Sequence, residues 1–475
     1  MPSELPFTIA DLRAAYARGL SPVAVIEEAF ARLDHANDPG IFIHIDRDGA
    51  LDAARALGAP DGRPLWGIPY VVKDNIDVAG LPTTAACPDF AYVAEADAEA
   101  VARLRAAGAI CLGKTNLDQF ATGLVGTRSP YPVPKNALDP AIVPGGSSSG
   151  SAVAVAHGIA TFSLGTDTAG SGRVPAALNG IVGLKPTLGA ISARGMVPAC
   201  RTLDTISVFA TTVDDAEAAF AVMCVYDPLD AYSRLLEACP VTRDVHSRLR
   251  IGVPDEASLE TFGDTVQVAA FHNTLENLRD QGATIVAMDF EPFYATARML
   301  YEGAWVAERC AAVGDRLTDA PETLHPVTRV ILEPGLALTA VDAFRGQYRL
   351  AELRRICETA MEGIDLLCVP TIPCFVSVEE DKADPIGYNA RLGTYTNFVN
   401  LLDMAGIAVP TGQRADGRPA SCTFLAAKGL DGLIAAVARS VEARSVTTLR
   451  TPVPDRPDVT SSRSLHYAED AAERD

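Results

Sequence analysis

From residue 144 to residue 152 the chain reads Pro-Gly-Gly-Ser-Ser-Ser-Gly-Ser-Ala, and strongly apolar sequence follows at once over 152–156 and 162–164. The glycines let the backbone turn sharply and approach another group closely. A flexible linker of this composition would not run straight into structured apolar sequence. A phosphate cradle would carry a lysine after its glycines, and this segment has none. Three consecutive serines are also too polar for an ordinary buried loop.

A second small-residue segment spans 165–175, Gly165-Thr166-Asp167-Thr168-Ala169-Gly170-Ser171-Gly172-Arg173-Val174-Pro175, directly after an apolar strand expected at 162–165. Such a turn can expose a serine Oγ and aim successive N–H groups at one point. Asp167 and Arg173 are spaced to brace it with an ion pair. Taken alone, the segment reads as an ordinary turn held by Asx hydrogen bonds. The third element is Lys73, which ends the apolar run Gly67-Ile68-Pro69-Tyr70-Val71-Val72-Lys73-Asp74-Asn75. A lysine at such a position is usually a surface residue; a buried one has its pKa lowered by desolvation and can serve as a general base.

Together, and in this order, the three segments resemble the amidase-signature family, densely over 67–186 and more loosely elsewhere. The resemblance implies an α/β fold, a large mixed β-sheet covered by helices on both faces. It implies Ser171 as nucleophile, Ser147 as a bridging serine that often sits in a cis peptide, and Lys73 as base. The N–H groups of Thr168, Ala169, Gly170 and Ser171 would form the oxyanion hole. The sequence departs from the family pattern at Ala169, often a glycine, and at Gly172, often β-branched; neither change removes a reacting group. The chemistry is coherent: a serine hydroxyl needs an adjacent base, and a lysine is neutral at pH 7 only in a dry site. Ser147 would relay the proton between Ser171 and Lys73, an acyl-enzyme would form, and water would hydrolyse it.

Two further stretches, Asn116 to Pro130 and Tyr301 to Arg309, resemble the allophanate hydrolases within that family. There a Tyr and an Arg eight positions on hold the substrate carboxylate, which corresponds to Tyr301 and Arg309. An Arg fork binds a carboxylate through two parallel hydrogen bonds, and two turns of one helix would set both side chains on one face. On the residues alone, Arg309 reads as a surface ion pair with Glu302 or Glu308, and Tyr301 as a half-buried packing residue. The resemblance thus implies a small anionic amide as substrate, a homodimer and no cofactor. Many allophanate hydrolases carry a further C-terminal domain; these 475 residues are expected to hold the amidase domain alone, either as a piece of a longer chain or as a branch that does without it. Two other readings keep the same catalytic set: an amidase for another carboxylated amide, malonamate-like or biuret-derived, and the amidase subunit of a tRNA-dependent amidotransferase.

The remaining sequence narrows the field. A net charge of −20 argues against a basic nucleic-acid-binding stripe. Ten cysteines at irregular spacing, without a C-x-x-C pair, fit free thiols in a reducing compartment, and the chain is expected to be cytoplasmic. Seven histidines form no H-E-x-x-H pattern, so no metal is implied. No stretch approaches the roughly 20 apolar residues that span a bilayer, and the N-terminus lacks a signal-peptide pattern, so no membrane association is expected. The octapeptide at 108–115, Gly-Ala-Ile-Cys-Leu-Gly-Lys-Thr, matches a P-loop pattern, but its four intervening residues are apolar and read as a strand that Lys114 closes.

Periodicity predicts helices over 9–18 and after Ser21, with Pro22 at the first helical position, and strands at 41–45, 68–72 and 109–112. A helix is expected over 97–107, and helix–strand alternation continues to about residue 223. From residue 250 the rhythm restarts with a strand at 250–253, a helix at 266–281, a strand at 284–288, a long helical stretch over 292–317, a buried strand at 366–370 and a helix at 433–443. The division expected is one catalytic domain over 1–450 and an acidic, disordered tail over 451–475.

Overall fold

The structure, a computed structural model, describes residues 5–236 and 249–445. The tail expected at 451–475 lies outside the described residues.

The chain opens with helices Ile9–Ala17 and Pro22–Ala36. Ser21 caps the second as its sequence position demands, its Oγ accepting the Ala24 N–H at 3.2 Å. Val25, Ile26, Ala29 and Leu33 face the core at helical spacing.

In chain order the strands are β1 (Phe42–Ile45), β2 (Pro69–Lys73), β3 (Pro82–Thr83), β4 (Tyr92–Val93), β5 (Ile110–Thr115), β6 (Phe162–Asp167), β7 (Val182–Lys185), β8 (Thr205–Ala210), β9 (Arg250–Pro254), β10 (Thr284–Met288), β11 (Leu366–Pro370), β12 (Met404–Gln413) and β13 (Pro419–Ala427). β3 and β4 form a small ribbon of their own, and the other eleven form one mixed sheet in the order β1-β5-β2-β6-β8-β7-β12-β13-β11-β9-β10. The sequence rhythm that restarts at residue 250 is therefore not a separate sheet: β7 pairs with β12 and joins both halves. β2, β6, β7, β8 and β11 are buried at every position. This is why β2 and β11 read as near-continuous apolar runs rather than as alternation.

The topology fixes one edge. β2 lies parallel between β5 and β6, with Lys73 opposite Thr115 and Val72 opposite Leu164. The C-terminal ends of the three strands, Lys73, Thr115 and Asp167, thus lie at the same end of the sheet, the end where open α/β sheets place their ligands.

One expectation changes, and one hairpin was not foreseen. The helical stretch over 292–317 is three helices, Glu291–Glu302, Trp305–Val313 and Arg316–Asp319. Gly303 leaves helical geometry (φ −120°, ψ −165°) and Gly314 turns through φ +66°. The antiparallel hairpin β12–β13 escapes the sequence pattern because Pro410 and Gly412 look like strand breakers. In the fold they coincide with a register shift, where a bulge tolerates both. The 21-residue helix Ala340–Ala360 has a similarly weak signal, because it buries only Leu350, Leu353 and Cys357. No helix of the described residues is long and apolar enough to cross a membrane.

Candidate active site

Lys73 ends β2 and is fully buried. Its Nζ lies 2.8 Å from Ser147 Oγ and 2.7 Å from Thr166 Oγ1. Burial pushes its pKa down to about 7, with the buried carboxylates of Asp118, Asp204 and Asp167 acting in the opposite sense. A lysine so poised exchanges a proton near neutral pH. Thr166, one strand over, is a second partner of Lys73 to which no local sequence signal points.

Ser147 sits in the small-residue segment, after a cis Gly146–Ser147 peptide bond. The three serines are wholly buried, against the expectation that so polar a loop stays out of the interior. Their hydroxyls explain it. Ser148 Oγ donates to Thr166 O at 3.2 Å, Ser149 Oγ to Asn116 O at 3.4 Å, and Ser147 Oγ receives Lys73. Buried polar groups with such partners carry little penalty. Glycine is required here sterically: a Cβ on Gly146 would stand 1.9 Å from Asp118 Oδ2, and one on Gly145 2.7 Å from Pro175 Cα.

The segment at 165–175 leaves the end of β6 and enters helix Val174–Asn179. Asp167 and Arg173 form the expected ion pair, two-pronged, with Nε–Oδ2 and Nη2–Oδ1 both 2.9 Å. Burial works against the Asp167 charge, but Arg173, Lys185 and the Gly172 N–H hold its pKa below the ordinary carboxylate value. Ser171 is 2% exposed. Ser148 ties its loop to Thr166, and Asn179 Nδ2 donates to Pro144 O at 2.7 Å, so the Ser147 and Ser171 loops are stitched together from both ends.

The four expected oxyanion donors are not equivalent. Gly170 N–H donates to Asp167 Oδ1 at 3.0 Å and is thereby engaged. The reason is the Asp167 carboxylate itself, which also takes the Gly172 N–H to brace the turn. The N–H groups of Thr168, Ala169 and Ser171 are left without an acceptor among the described residues. The Thr168 hydroxyl donates to Asp204, whose carboxyl burial pushes up to about 6 despite that bond and those from Cys200 and Ala199. From the other side Asn400 Nδ2 holds Asp167 O at 2.9 Å and Leu203 O at 2.8 Å, a support with no local sequence signal.

Tyr301 and Arg309 come together, but not on one helix face. Tyr301 belongs to helix Glu291–Glu302 and Arg309 to helix Trp305–Val313, and the break at Gly303 folds one against the other. Arg309 is 1% exposed, its Nη2 3.3 Å from the Tyr301 hydroxyl, its Nη1 3.4 Å from Thr122 Oγ1 and its Cζ 4.9 Å from the Tyr301 ring centroid. The surface ion pair with Glu302 or Glu308 is not formed; Glu308 instead receives Thr202 N–H and hydroxyl, both at 2.8 Å. Three buried cations among the described residues pair with carboxylates: Lys114 meets Asp74, Arg173 meets Asp167 and Arg414 meets Asp264, each at 2.9 Å. Arg309 has none, and its Nε has no partner at all. Tyr301 lines a cavity of about 840 Å³.

The P-loop-like octapeptide is a strand, as its apolar centre required. Lys114 is fully buried on β5, paired with Asp74 and donating to Thr83 Oγ1 at 2.9 Å.

Comparison with known proteins agrees with this geometry. Residues 24–434 match the profile of the family described as Amidase. Urea amidolyase of Saccharomyces cerevisiae (strain ATCC 204508 / S288c) is 49% identical over 371 residues, covering 78% of this chain and 20% of that protein. The chain therefore spans about a fifth of the length of the urea amidolyases it matches. A glutamyl-tRNA(Gln) amidotransferase subunit from Roseiflexus castenholzii (strain DSM 13941 / HLO8) is 35% identical over 446 residues, 87% of this chain and 90% of the other. Among solved structures, Kluyveromyces lactis allophanate hydrolase superposes with a TM-score of 0.86 at 43% identity, over 91% of this chain and 72% of that one. A Lys–Ser pair at the C-terminal end of a mixed sheet, a braced small-residue turn beside it and these likenesses converge: the chain belongs to the amidase family, hydrolases of amide C–N bonds.

Proposed function

We propose that this chain hydrolyses allophanate (urea-1-carboxylate), with Ser171 as nucleophile, Ser147 as proton relay and Lys73 as base. The observation that carries the reading is Arg309: a buried guanidinium with no carboxylate partner, beside the Tyr301 hydroxyl. A buried cation left unpaired is costly, and a small anionic substrate would complete it.

Ser171 Oγ attacks the ureido carbonyl while its proton passes through Ser147 to Lys73. The Thr168, Ala169 and Ser171 N–H groups receive the developing oxyanion. The C–NH2 bond breaks, the proton returns to the leaving nitrogen and ammonia departs. Water then cleaves the acyl-enzyme, releasing a dicarboxylated amine that loses carbon dioxide. The likenesses to urea amidolyase and allophanate hydrolase support the substrate. An exposed apolar strip, Val341, Phe344 and Tyr348, supports a homodimer as the working assembly. Nine unpaired described cysteines support a reducing, cytoplasmic setting.

The test is ammonia release from fresh allophanate beside biuret, malonamate and malonamide, with Ser171→Ala as control. Ser171-dependent turnover of allophanate in preference to the neutral amides is expected. Cleavage of malonamate with no turnover of allophanate would replace the substrate by another carboxylated amide and keep the mechanism.

A further inference from the structure

A second arginine shares the situation of Arg309. Arg128 is 1% exposed and forms no ion pair with any described carboxylate. Its Nη1 donates to Thr122 O at 3.0 Å and its Nη2 to Pro385 O at 2.6 Å, while its Nε has no partner. A guanidinium has five N–H donors, so two neutral carbonyls leave most of this one unmet. Thr122 is the link between the two cations: its carbonyl takes Arg128 and its hydroxyl takes Arg309. Arg128 also lines the 840 Å³ cavity, beside Tyr301 and Asn389, while the same wall carries the carboxylates Asp255, Glu260, Asp289, Glu291 and Glu302.

The neighbouring acids form no ion pair with Arg128. Its backbone N–H, not its side chain, binds Asp118 Oδ1 at 2.8 Å. Asp381 spends one oxygen on Thr127 Oγ1 at 2.7 Å. Burial raises the pKa of both carboxyls, with the Arg128 charge only opposing that rise.

We propose that Arg128 is a second charge determinant of the substrate-anion site, acting with Arg309 from the other side of Thr122 to select carboxylated over neutral amides. The inference rests on the allophanate reading and deepens it. Two buried guanidinium groups without an ion pair, Arg128 lining the cavity beside Tyr301 and Arg309 bonded to the Tyr301 hydroxyl, stabilise an anion held between them by charge, and they leave a neutral amide with nothing to compensate the two desolvated cations. A purely mechanical role, fastening residue 122 to the wall at Pro385, would act through the Thr122–Arg309 bond, so Arg128→Gln would change nothing further in an Arg309→Ala background, whereas a charge role of its own would still show there.

The test compares allophanate with biuret, which differ only in carboxylate against carboxamide, in the wild type, Arg128→Gln, Arg128→Lys, Arg309→Ala and Arg128→Gln combined with Arg309→Ala. Arg128→Gln is expected to lower kcat/KM for allophanate by about tenfold or more, mainly through KM. Biuret turnover should stay within about threefold, and Arg128→Lys should restore most of the selectivity because it keeps the charge. Equal losses on both substrates, an unchanged allophanate-to-biuret ratio, or no further effect of Arg128→Gln in the Arg309→Ala background would overturn the proposal. If Arg128→Gln does not fold, Arg128→Lys decides: a retained ratio with altered KM supports a charge role, and a ratio fallen to that of Arg309→Ala overturns it. A wild-type enzyme with no preference for allophanate would sink the underlying substrate reading. Loss of selectivity in Arg309→Ala alone would spare that reading and remove only the role of Arg128.

Discussion

Lys73 Nζ lies 2.8 Å from Ser147 Oγ in a region with no exposure to solvent, the two residues 74 positions apart in the chain. A neutral lysine has one lone pair, and the bond to Thr166 Oγ1 on its other side leaves that pair free for Ser147. Because burial brings its pKa to about 7, amide hydrolysis should rise with pH along a limb centred near that value. A pH profile of kcat/KM checks this, and Lys73→Arg should abolish activity at every pH. A limb centred below about 5 would assign the base to a carboxylate instead.

The same lysine makes stability depend on pH. Its pKa is about 7 in the fold and near the ordinary value of 10.5 when unfolded, so between these values the unfolded chain binds more protons. The contribution of this group to stability therefore rises with pH across that window and is at its worst below it. Lys73→Met should raise Tm most near pH 6, and the advantage should shrink toward pH 10. A Tm gain independent of pH would mean that Lys73 is not desolvated as described.

Arg309→Ala should weaken binding of carboxylated substrates. Removing a buried charge partner of this kind costs about 2 kcal/mol or more, so KM for allophanate should rise at least about tenfold. Biuret should be cleaved about as well as before. Equal effects on both would deny Arg309 a part in carboxylate recognition.

The pair of Lys114 and Asp74, 2.9 Å apart and wholly buried, predicts an asymmetry. Lys114→Met leaves a buried carboxylate uncompensated and should cost about 3–5 kcal/mol. Lys114→Met combined with Asp74→Leu should recover much of that loss. Denaturant unfolding measures both. Recovery failing altogether would show that the pair also supports the active-site edge.

Gly170 turns through φ +134°, and a Cβ there would stand 2.4 Å from Thr396 Oγ1. Gly170→Ala should displace the turn that carries Ser171 and reduce turnover by about 100-fold or more, since a shift of about 1 Å in a reacting group costs about that much. Thermal unfolding of the same variant should change far less. A variant with full activity would show that the turn adapts.

Much of the site is legible in the chain. Gly145 and Gly146 mark a close approach, Asp167 and Arg173 brace one short turn, and Lys73 closes an apolar strand; each is a local pattern with a local physical cause. The strands buried on both faces show as apolar runs; the antiparallel hairpin β12–β13 in the same sheet does not. The break at Gly303 is not legible, because a lone glycine in a helical pattern is often tolerated. Whether Tyr301 and Arg309 meet through a helix face or across a fold depends on what packs around them.

The groups able to react are written into the chain: a lysine after a strand, two serines in small-residue turns, and glycines where no side chain would fit. Which of them are poised is settled by packing in three dimensions. The pKa of Lys73 comes from burial and from three carboxylates distant in sequence, Asp118, Asp204 and Asp167. The engagement of the Gly170 N–H by Asp167, and the lack of an ion pair to Arg309 or Arg128 among the described residues, likewise arise only in the folded chain. Desolvation and charge pairing depend on distance in space, and a sequence records distance only along the chain.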